Sequence, residues 1–317
     1  MTSSIGIVGS RGFIGSYLLR RLVVGKRGPL RALVRTPSLS EYARNIDVVC
    51  GDLRSPADCL RFADGLKVIY YLAHTNSPVN SDQNLANDTL YNLVPLLQLI
   101  QAVQSLGTKA HIVYFGSGGA VYAPKDDRLP YVETDHCAPL SSYGIQKVVA
   151  EQYLRLAAHK GHLTSTVLRV GNAYGEPLPQ HRMQGLIGIA ISCILQSRPV
   201  RIFGDLTNVR DYIHLEDICS LADRASTPRQ PFSIVNVGSG VGHSVSDVLR
   251  IIEECHGAPI VVQCEQTLGH WLPQWVVLNV LKANREFSWS PAISLRSGIN
   301  EMLLAEREER GVGEAIG

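Results

Sequence analysis

Six short runs of aliphatic and β-branched residues stand out in the first half of the chain: Ile5–Val8, Leu30–Val34, Asp47–Cys50, Val68–Leu72, Ile112–Phe115 and Thr166–Val170. They show little polar alternation, which predicts strands buried on both faces rather than half-exposed ones. Between them, Ile14–Val24, the stretch from Asn84 to Leu106, and Tyr143–His159 space apolar positions as amphipathic helices do. Strands alternating with helices predict an α/β fold, a doubly wound parallel sheet covered on both sides. Ligands of such sheets bind beyond the carboxyl ends of the strands, where the strand order reverses.

After Arg169 the pattern loosens, with Pro177, Pro179, Pro199, Pro228 and Pro231 separating shorter elements. Residues 1–170 are therefore expected to form a nucleotide-binding domain. Residues 171–305 are expected to be mainly a smaller substrate-binding lobe, with some elements returning to the sheet. The charged, glycine-containing stretch 306–317 is expected to be a flexible tail.

Composition narrows the class. With 45% hydrophobic and 18% charged residues, the chain is too apolar and too weakly charged for a disordered protein. Thirty basic against 28 acidic residues leave a formal charge of +2, and no basic stripe interleaved with aromatics points to nucleic acid. The seven cysteines are scattered without a C-x-x-C pair, which predicts neither a zinc site nor a disulfide framework. The amino terminus lacks the basic-then-apolar pattern of a cleaved leader. The longest apolar run, Gly185 to Leu195, is too short to span a membrane. A cytoplasmic protein with no membrane partner and no metal is expected.

Three constellations carry chemistry. The first is Gly9-Ser10-Arg11-Gly12-Phe13-Ile14-Gly15, a glycine turn between the first strand and the first helix. Glycines allow positive φ and close backbone approach, and the helix start offers free amides to a pyrophosphate. The spacing, G-x-x-G-x-x-G, points to a Rossmann-type dinucleotide site. The second is an absence: the exit of the second strand reads Val34-Arg35-Thr36, with no acid to grip a ribose. Arg11 and Arg35 suit a 2′-phosphate, so NADP is favoured over NAD. Asp52 and Leu53, after the third strand, would lie by the adenine. The third is Tyr143-Gly-Ile-Gln-Lys147, which sets a phenol and an ammonium on one helix face. A neighbouring cation favours phenolate, so Tyr143 is a candidate proton shuttle with Lys147 drawing its pKa down.

With these motifs the chain resembles the extended short-chain dehydrogenases/reductases, specifically the nucleotide-sugar epimerase/dehydratase family that includes UDP-glucose 4-epimerases. The matching pieces run from residue 5 to about 290. They comprise the glycine turn, Gly51–Leu53, Tyr71–His74, Asn92, Val113–Tyr122, Tyr143–Lys147, Leu168–Gly175, Ile202–Ile218, Asn236–Gly240 and Phe287–Pro291. The resemblance implies Tyr143 as acid/base, Lys147 as the residue that tunes it and holds the ribose, and a strand-end hydroxyl on the substrate. It also implies cofactor contacts from Gly9, Arg11, Gly12, Phe13, Ile14, Gly15, Arg35, Asp52, Leu53, Leu72, Ala73, His74 and Asn92.

Departures from the family pattern are informative. The usual Ser/Thr position holds Gly118, so either Ser117 substitutes after a small shift or Tyr143 works alone with water. The acidic pair of family dehydratases is replaced by Gly119 and Ala120, which disfavours dehydration. For the substrate, resemblance implies Asn172 and Arg210 on the diphosphate and Gly204 with Asp205 beside the base. Alternatively, Arg210 pairs structurally with Asp211 or Asp217. A second diphosphate arginine is missing: the segment Gly269–Trp275 offers His270, Trp271 and Trp275 instead, and the tryptophans are read as lobe core.

The expected activity is oxidoreduction at C4 of a nucleotide-linked hexose, UDP-linked by resemblance to this family. A 4-keto-sugar reductase is favoured slightly over a 4-epimerase that retains NAD. A non-catalytic NADP-binding redox sensor is the alternative of another class, although such relatives typically lose the tyrosine or lysine kept here. The resemblance also implies a homodimer, formed through the helices ending near Leu106 and starting near Tyr143.

Overall fold

The computed structural model describes residues 4–36, 46–76, 81–177, 185–265 and 273–314. Its centre is a parallel sheet of seven strands: β1 (Ile5–Val8), β2 (Leu30–Val34), β3 (Ile46–Cys50), β4 (Val68–Tyr71), β5 (His111–Ser117), β6 (Thr164–Val170) and β10 (Phe232–Val237). In space they run β10-β6-β5-β4-β1-β2-β3. Ile7 of β1 lies in register with Ala32 of β2 on one side and Tyr70 of β4 on the other. The chain winds outward through β2 and β3, then crosses to β4 and winds the other way. The order thus reverses between β1 and β4, and a crevice opens beyond their carboxyl ends.

Both faces of the sheet are covered, which is why its strands lack alternation. On one face, Phe62 of α2 (Pro56–Ala63), Leu99 and Val103 of α4 (Val94–Leu106), and Leu154 of α5 (Ser142–His159) form a continuous core. On the other lie Leu18 and Leu22 of α1 (Phe13–Val24), Ile218 and Leu221 of α7 (Leu215–Ala225), and Phe287 of α9 (Leu281–Phe287). Fully burying each such side chain contributes about 1.5–3 kcal/mol. The stretch expected as one helix from Asn84 to Leu106 is two, α3 (Leu85–Asn92) and α4, meeting at Leu93. Pro95 sits in the first turn of α4, where its missing N–H costs nothing, whereas it would break a continuous helix.

The second lobe has its own core, built from α6 (Leu186–Leu195), α8 (Val245–His256) and α10 (Leu295–Glu314), with Ile187, Ile191, Val248, Ile252, Ile299 and Leu303 buried together. Its strands β7 (Asn172–Tyr174), β11 (Gly242–Ser244) and β13 (Trp275–Val276) all pair with β9 (Val209–His214). A further pair is made by β8 (Val200–Phe203) and β12 (Val262–Glu265). The seventh strand of the main sheet, β10, and the covering helices α7 and α9 come from beyond residue 170, so the two parts interleave. The stretch expected to be a flexible tail instead continues α10 as far as Glu314. The packed residues Ile299, Met302 and Leu303 supply the costly first turns, from which helix extends into the charged stretch. Among the described residues no helix is long and apolar enough to cross a membrane, and no cluster of His, Cys, Asp and Glu fits a metal ion.

Candidate active site

The crevice is floored by the glycine turn. Gly9 adopts φ +87°, and a Cβ there would lie 2.7 Å from the Ala73 nitrogen. A Cβ on Gly15 would come within 2.1 Å of the Gly9 carbonyl oxygen, so the third glycine lets α1 pack onto the turn. The Gly12 amide closes the turn on Gly9 O at 3.0 Å. Gly12 also begins α1 with no side-chain cap and no acid in the first turn. The helix therefore presents amides and the positive end of its dipole to the crevice, a donor set that fits a dinucleotide pyrophosphate. Leu72, Ala73 and His74 leave β4 alongside it, and Phe13 and Ile14 are half-buried behind it.

At the β2 end of this crevice, Arg11 donates to Thr36 Oγ1 at 2.8 Å, joining the glycine turn to the exit of β2. Arg35 is exposed there. Asp52 is gripped by Arg54, whose Nη2 donates at 2.6 Å and Nε at 3.0 Å. The Arg54 hydrogen bond lowers the Asp52 pKa, and the charge of Arg35 acts in the same direction. Leu53 is buried in the core. Asn92 is buried with both ends of its amide engaged: Oδ1 accepts from Thr75 N at 2.7 Å, and Nδ2 donates to Asp88 Oδ1 at 2.8 Å. Its contribution to the crevice is thus to shape the segment after His74.

Ser117 ends β5, Tyr143 lies in the first turn of α5, and Lys147 follows one turn later. Ser141 caps that helix by accepting from Gly144 N at 3.2 Å. A Cβ on Gly144 would stand 2.3 Å from Ala120 O, so this glycine lets α5 lie directly on the loop after β5. The Lys147 ammonium donates to Phe115 O at 2.8 Å and sits 5.4 Å from the centre of the Tyr143 ring. The His74 ring packs edge-on against Tyr143, with centroids 4.7 Å apart, and its Nε2 is buried without a hydrogen-bond partner.

Burial sets the protonation of this group. It pushes Lys147 down to about 7, with Glu151 opposing. It also holds His74 neutral, its pKa pushed down to about 2 by burial and then by the charge of Lys147. The resting phenol is governed first by burial rather than by the Lys147 charge expected to draw it down. Burial raises Tyr143, and the opposing contact is a hydrogen bond with the Ser117 hydroxyl. The ammonium lies over the ring face and donates to Phe115 O.

The same contact bears on the displaced hydroxyl. A Cβ on Gly118 would come within 2.5 Å of Leu278 Cδ1, so position 118 has no room for a side chain while Leu278 is in place. Ser117 is the residue whose hydroxyl lies close enough to Tyr143 to oppose the effect of burial. A Cβ on Gly119 would meet nothing within 4 Å, and neither Gly119 nor Ala120 brings an acid to the opening.

Across the crevice, Phe13, Asn172, Tyr174, Glu176, Arg210 and Tyr212 line a cavity of about 180 Å³. Arg210 donates to Val209 O at 2.8 Å and Gln274 O at 3.3 Å, and burial lowers its pKa. The alternative pairing with Asp211 or Asp217 is not what forms. Asp211 accepts from Ser239 N, Gly240 N and Leu278 N, and Asp217 from Ala292 N and Ile293 N. Gly204 closes β8 at φ +104° and is not among the residues lining this cavity. Trp275 packs half-buried against the cluster of Val121, Tyr122 and Tyr131, as expected of lobe core, whereas His270 and Trp271 lie outside the described residues.

Sequence reasoning missed Asp88, Ser142, Gln146 and Leu278, which surround Tyr143 or Ser117. For Asp88, Ser142 and Gln146 the only signal would have been polar residues on helix faces that turn inward, which periodicity alone does not report; Leu278 gave none.

A model of the family described as "NAD dependent epimerase/dehydratase family" matches residues 5–238. The chain is 30% identical over 247 residues to a dTDP-4-dehydro-6-deoxyglucose reductase of Escherichia coli, covering 76% of this chain and 75% of that one. It is 27% identical over 300 residues to a putative UDP-glucose 4-epimerase of Methanocaldococcus jannaschii, covering 94% and 96%. A crystal structure of UDP-glucose 4-epimerase with UDP-glucose from Thermotoga maritima superposes with a TM-score of 0.89 at 25% identity, over 97% of this chain and 99% of that one.

Proposed function

The chain belongs to the NAD dependent epimerase/dehydratase family, and from that premise we propose an NADPH-dependent reductase of the 4-keto group of a nucleotide-linked hexose. The observation that carries the reading is the meeting of Ser117, Tyr143 and Lys147 at the crevice where the strand order reverses. The E. coli reductase among its relatives supports the direction of reaction.

The dinucleotide, when bound, supplies the hydride. The chain's own groups hold the ketone and move the proton. Ser117 Oγ and Tyr143 Oη hydrogen-bond the keto oxygen, and Tyr143 releases its proton to that oxygen as negative charge develops there. Lys147, over the ring face, stabilises the phenolate left behind. Burial of Ser117 and Lys147 beside the half-buried Tyr143 limits bulk water and strengthens each contact. With Gly119 and Ala120 beside the opening, no side chain stands ready to remove or return a hydroxide, which supports redox chemistry over dehydration.

Arg11 and Arg35 support NADP, because the sequence places two guanidiniums and no acid at Val34-Arg35-Thr36 and the adjoining glycine turn. On the substrate side, Arg210 and Asn172 hold the diphosphate, the guanidinium fork matching phosphate oxygens. The nucleotide is uridine or thymidine. Leu90 and Tyr91 of α3, with Ile145, Tyr153 and Leu156 of α5, are exposed apolar residues. They support a homodimer through these helices, which light scattering would read as twice the chain mass.

A second reading, a 4-epimerase that keeps its cofactor oxidised, is favoured by the near-complete superposition on the T. maritima epimerase. The experiment supplies purified protein with NADPH and either a UDP- or a dTDP-linked 4-keto hexose. Stoichiometric loss of the reduced nicotinamide absorbance supports the reductase. Interconversion of UDP-hexoses without net cofactor consumption replaces it with the epimerase.

A further inference from the structure

Asp88 lies on α3 with only 2% of its surface exposed, and it takes four donors. Ser142 Oγ donates at 2.5 Å and Asn92 Nδ2 at 2.8 Å, while Gln146 Nε2 and Asn76 Nδ2 donate as well. Among the described residues no lysine, arginine or histidine pairs with it. A buried carboxylate without a counter-ion survives only if hydrogen bonds satisfy it.

Those donors come from separate segments. Ser142 and Gln146 flank Tyr143 on α5, and Asn76 lies in the segment just beyond His74. Around this hub the fastening continues: Asp82 Oδ1 accepts from Ser142 N at 2.7 Å, Ser81 Oγ accepts from Tyr143 N at 3.1 Å, and Asn92 Oδ1 accepts from Thr75 N. The His74 and Tyr143 rings, which meet edge to face, are thus carried by segments tied together through one carboxylate.

We propose that Asp88 is a positioning residue, clamping the first turn of α5 to the segment after β4 so that Tyr143 is held against His74 and Ser117. It touches neither reacting atoms nor cofactor. Its effect passes through Ser142 and Gln146 to the phenol between them. Misplacing a reacting group by about 1 Å costs on the order of a hundredfold in rate. The catalytic consequence rests on the function proposed above; the positional one does not.

The test follows the Tyr143 phenol directly, by NMR of protein carrying ring-labelled tyrosine, with the resonance assigned by its loss in Tyr143→Phe. The groups facing that phenol are Lys147 on its own helix, His74 beyond β4, and Ser117 and Tyr114 on β5. Asp88→Asn and Ser142→Ala are expected to move its titration down toward that of a free phenol, because burial is what raised it. Both are expected to lower kcat roughly tenfold to a hundredfold with KM for the nucleotide sugar unchanged. The charge-conserving exchange of Asp88→Asn with Gln146→Glu is expected to restore both, since the carboxylate and amide simply trade places. Variants that melt at lower temperature while Tyr143 titrates as in the wild type overturn the proposal, leaving Asp88 a stability residue. An exchange variant that titrates like Asp88→Asn alone also overturns it. If Asp88→Asn does not fold, Ser142→Ala decides, because it keeps the carboxylate. Should no nucleotide sugar turn over, the functional reading fails, while the phenol titration still judges the clamp.

Discussion

Arg210 and Asp211 are neighbours in sequence and make no ion pair with each other. The guanidinium lies in the cavity wall on the carbonyls of Val209 and Gln274, whereas the carboxylate, 1% exposed, is taken by Ser239, Gly240 and Leu278. Alternation along β9 sends consecutive side chains to opposite faces, one to the cavity and one to the core. The two substitutions should therefore separate.

Arg210→Met is expected to raise KM for the nucleotide sugar tenfold to a hundredfold, roughly the 1.5–3 kcal/mol of a hydrogen bond to a charged group. Its melting temperature should barely change. Asp211→Asn is expected to lose about 1–3 kcal/mol of stability, because an amide cannot accept from all four donors. Steady-state kinetics and denaturant melts of both variants check this; equal loss of stability in the two would contradict the assignment.

The hydroxyl beside Tyr143 is predicted to be tied to position 117 by Leu278. Ser117→Ala is expected to lower kcat on the order of a hundredfold, as loss of an oxyanion donor does. Adding Gly118→Ser should not recover it, because the new Cβ meets Leu278 at 2.5 Å. Adding Leu278→Ala as well makes room, and partial recovery of kcat is expected only in that triple variant. Recovery by Gly118→Ser alone would show that Leu278 does not control the site.

Lys147 makes the stability of the cofactor-free protein depend on pH. Its folded pKa is lowered to about 7, whereas the unfolded chain keeps the ordinary lysine value of about 10.4. Between these limits the unfolded state binds more protons, so this group makes stability rise with pH across that window and contributes no slope below it. Lys147→Met removes the slope. Urea melts from pH 6 to about 10 are expected to show the wild type gaining on the variant above about pH 7; parallel curves would place the lysine in a far wetter site.

Arg35 is predicted to set cofactor choice together with Arg11, which Thr36 holds at the exit of β2. Arg35→Asp is expected to weaken NADPH binding tenfold or more and to improve NADH, since a carboxylate there repels a 2′-phosphate and can accept from ribose hydroxyls. Binding constants for both cofactors, taken at low and moderate salt, decide it. An unchanged NADPH/NADH ratio would remove the arginine from the adenosine end.

Much of the design was legible before any coordinates. Runs such as Val68–Leu72 and Leu30–Val34 predict buried parallel strands because two-sided burial removes alternation. The glycine turn predicts a phosphate cradle because only glycine tolerates the Gly9 conformation, and four-residue spacing aligns Tyr143 with Lys147 on any helix. These are local properties, settled within a few residues of chain. Contacts between distant segments followed a different rule. Asp88 meets Ser142 and Gln146 across 54 and 58 residues, and Lys147 reaches Phe115 O across 32. Tertiary packing alone decided that Leu278 crowds position 118, that Arg210 takes backbone carbonyls rather than Asp211 or Asp217 as partners, and that burial raises Tyr143. The reason is that hydrogen-bond choice and proton affinity depend on which groups share a buried volume, and many folds of the same local pattern would enclose different ones.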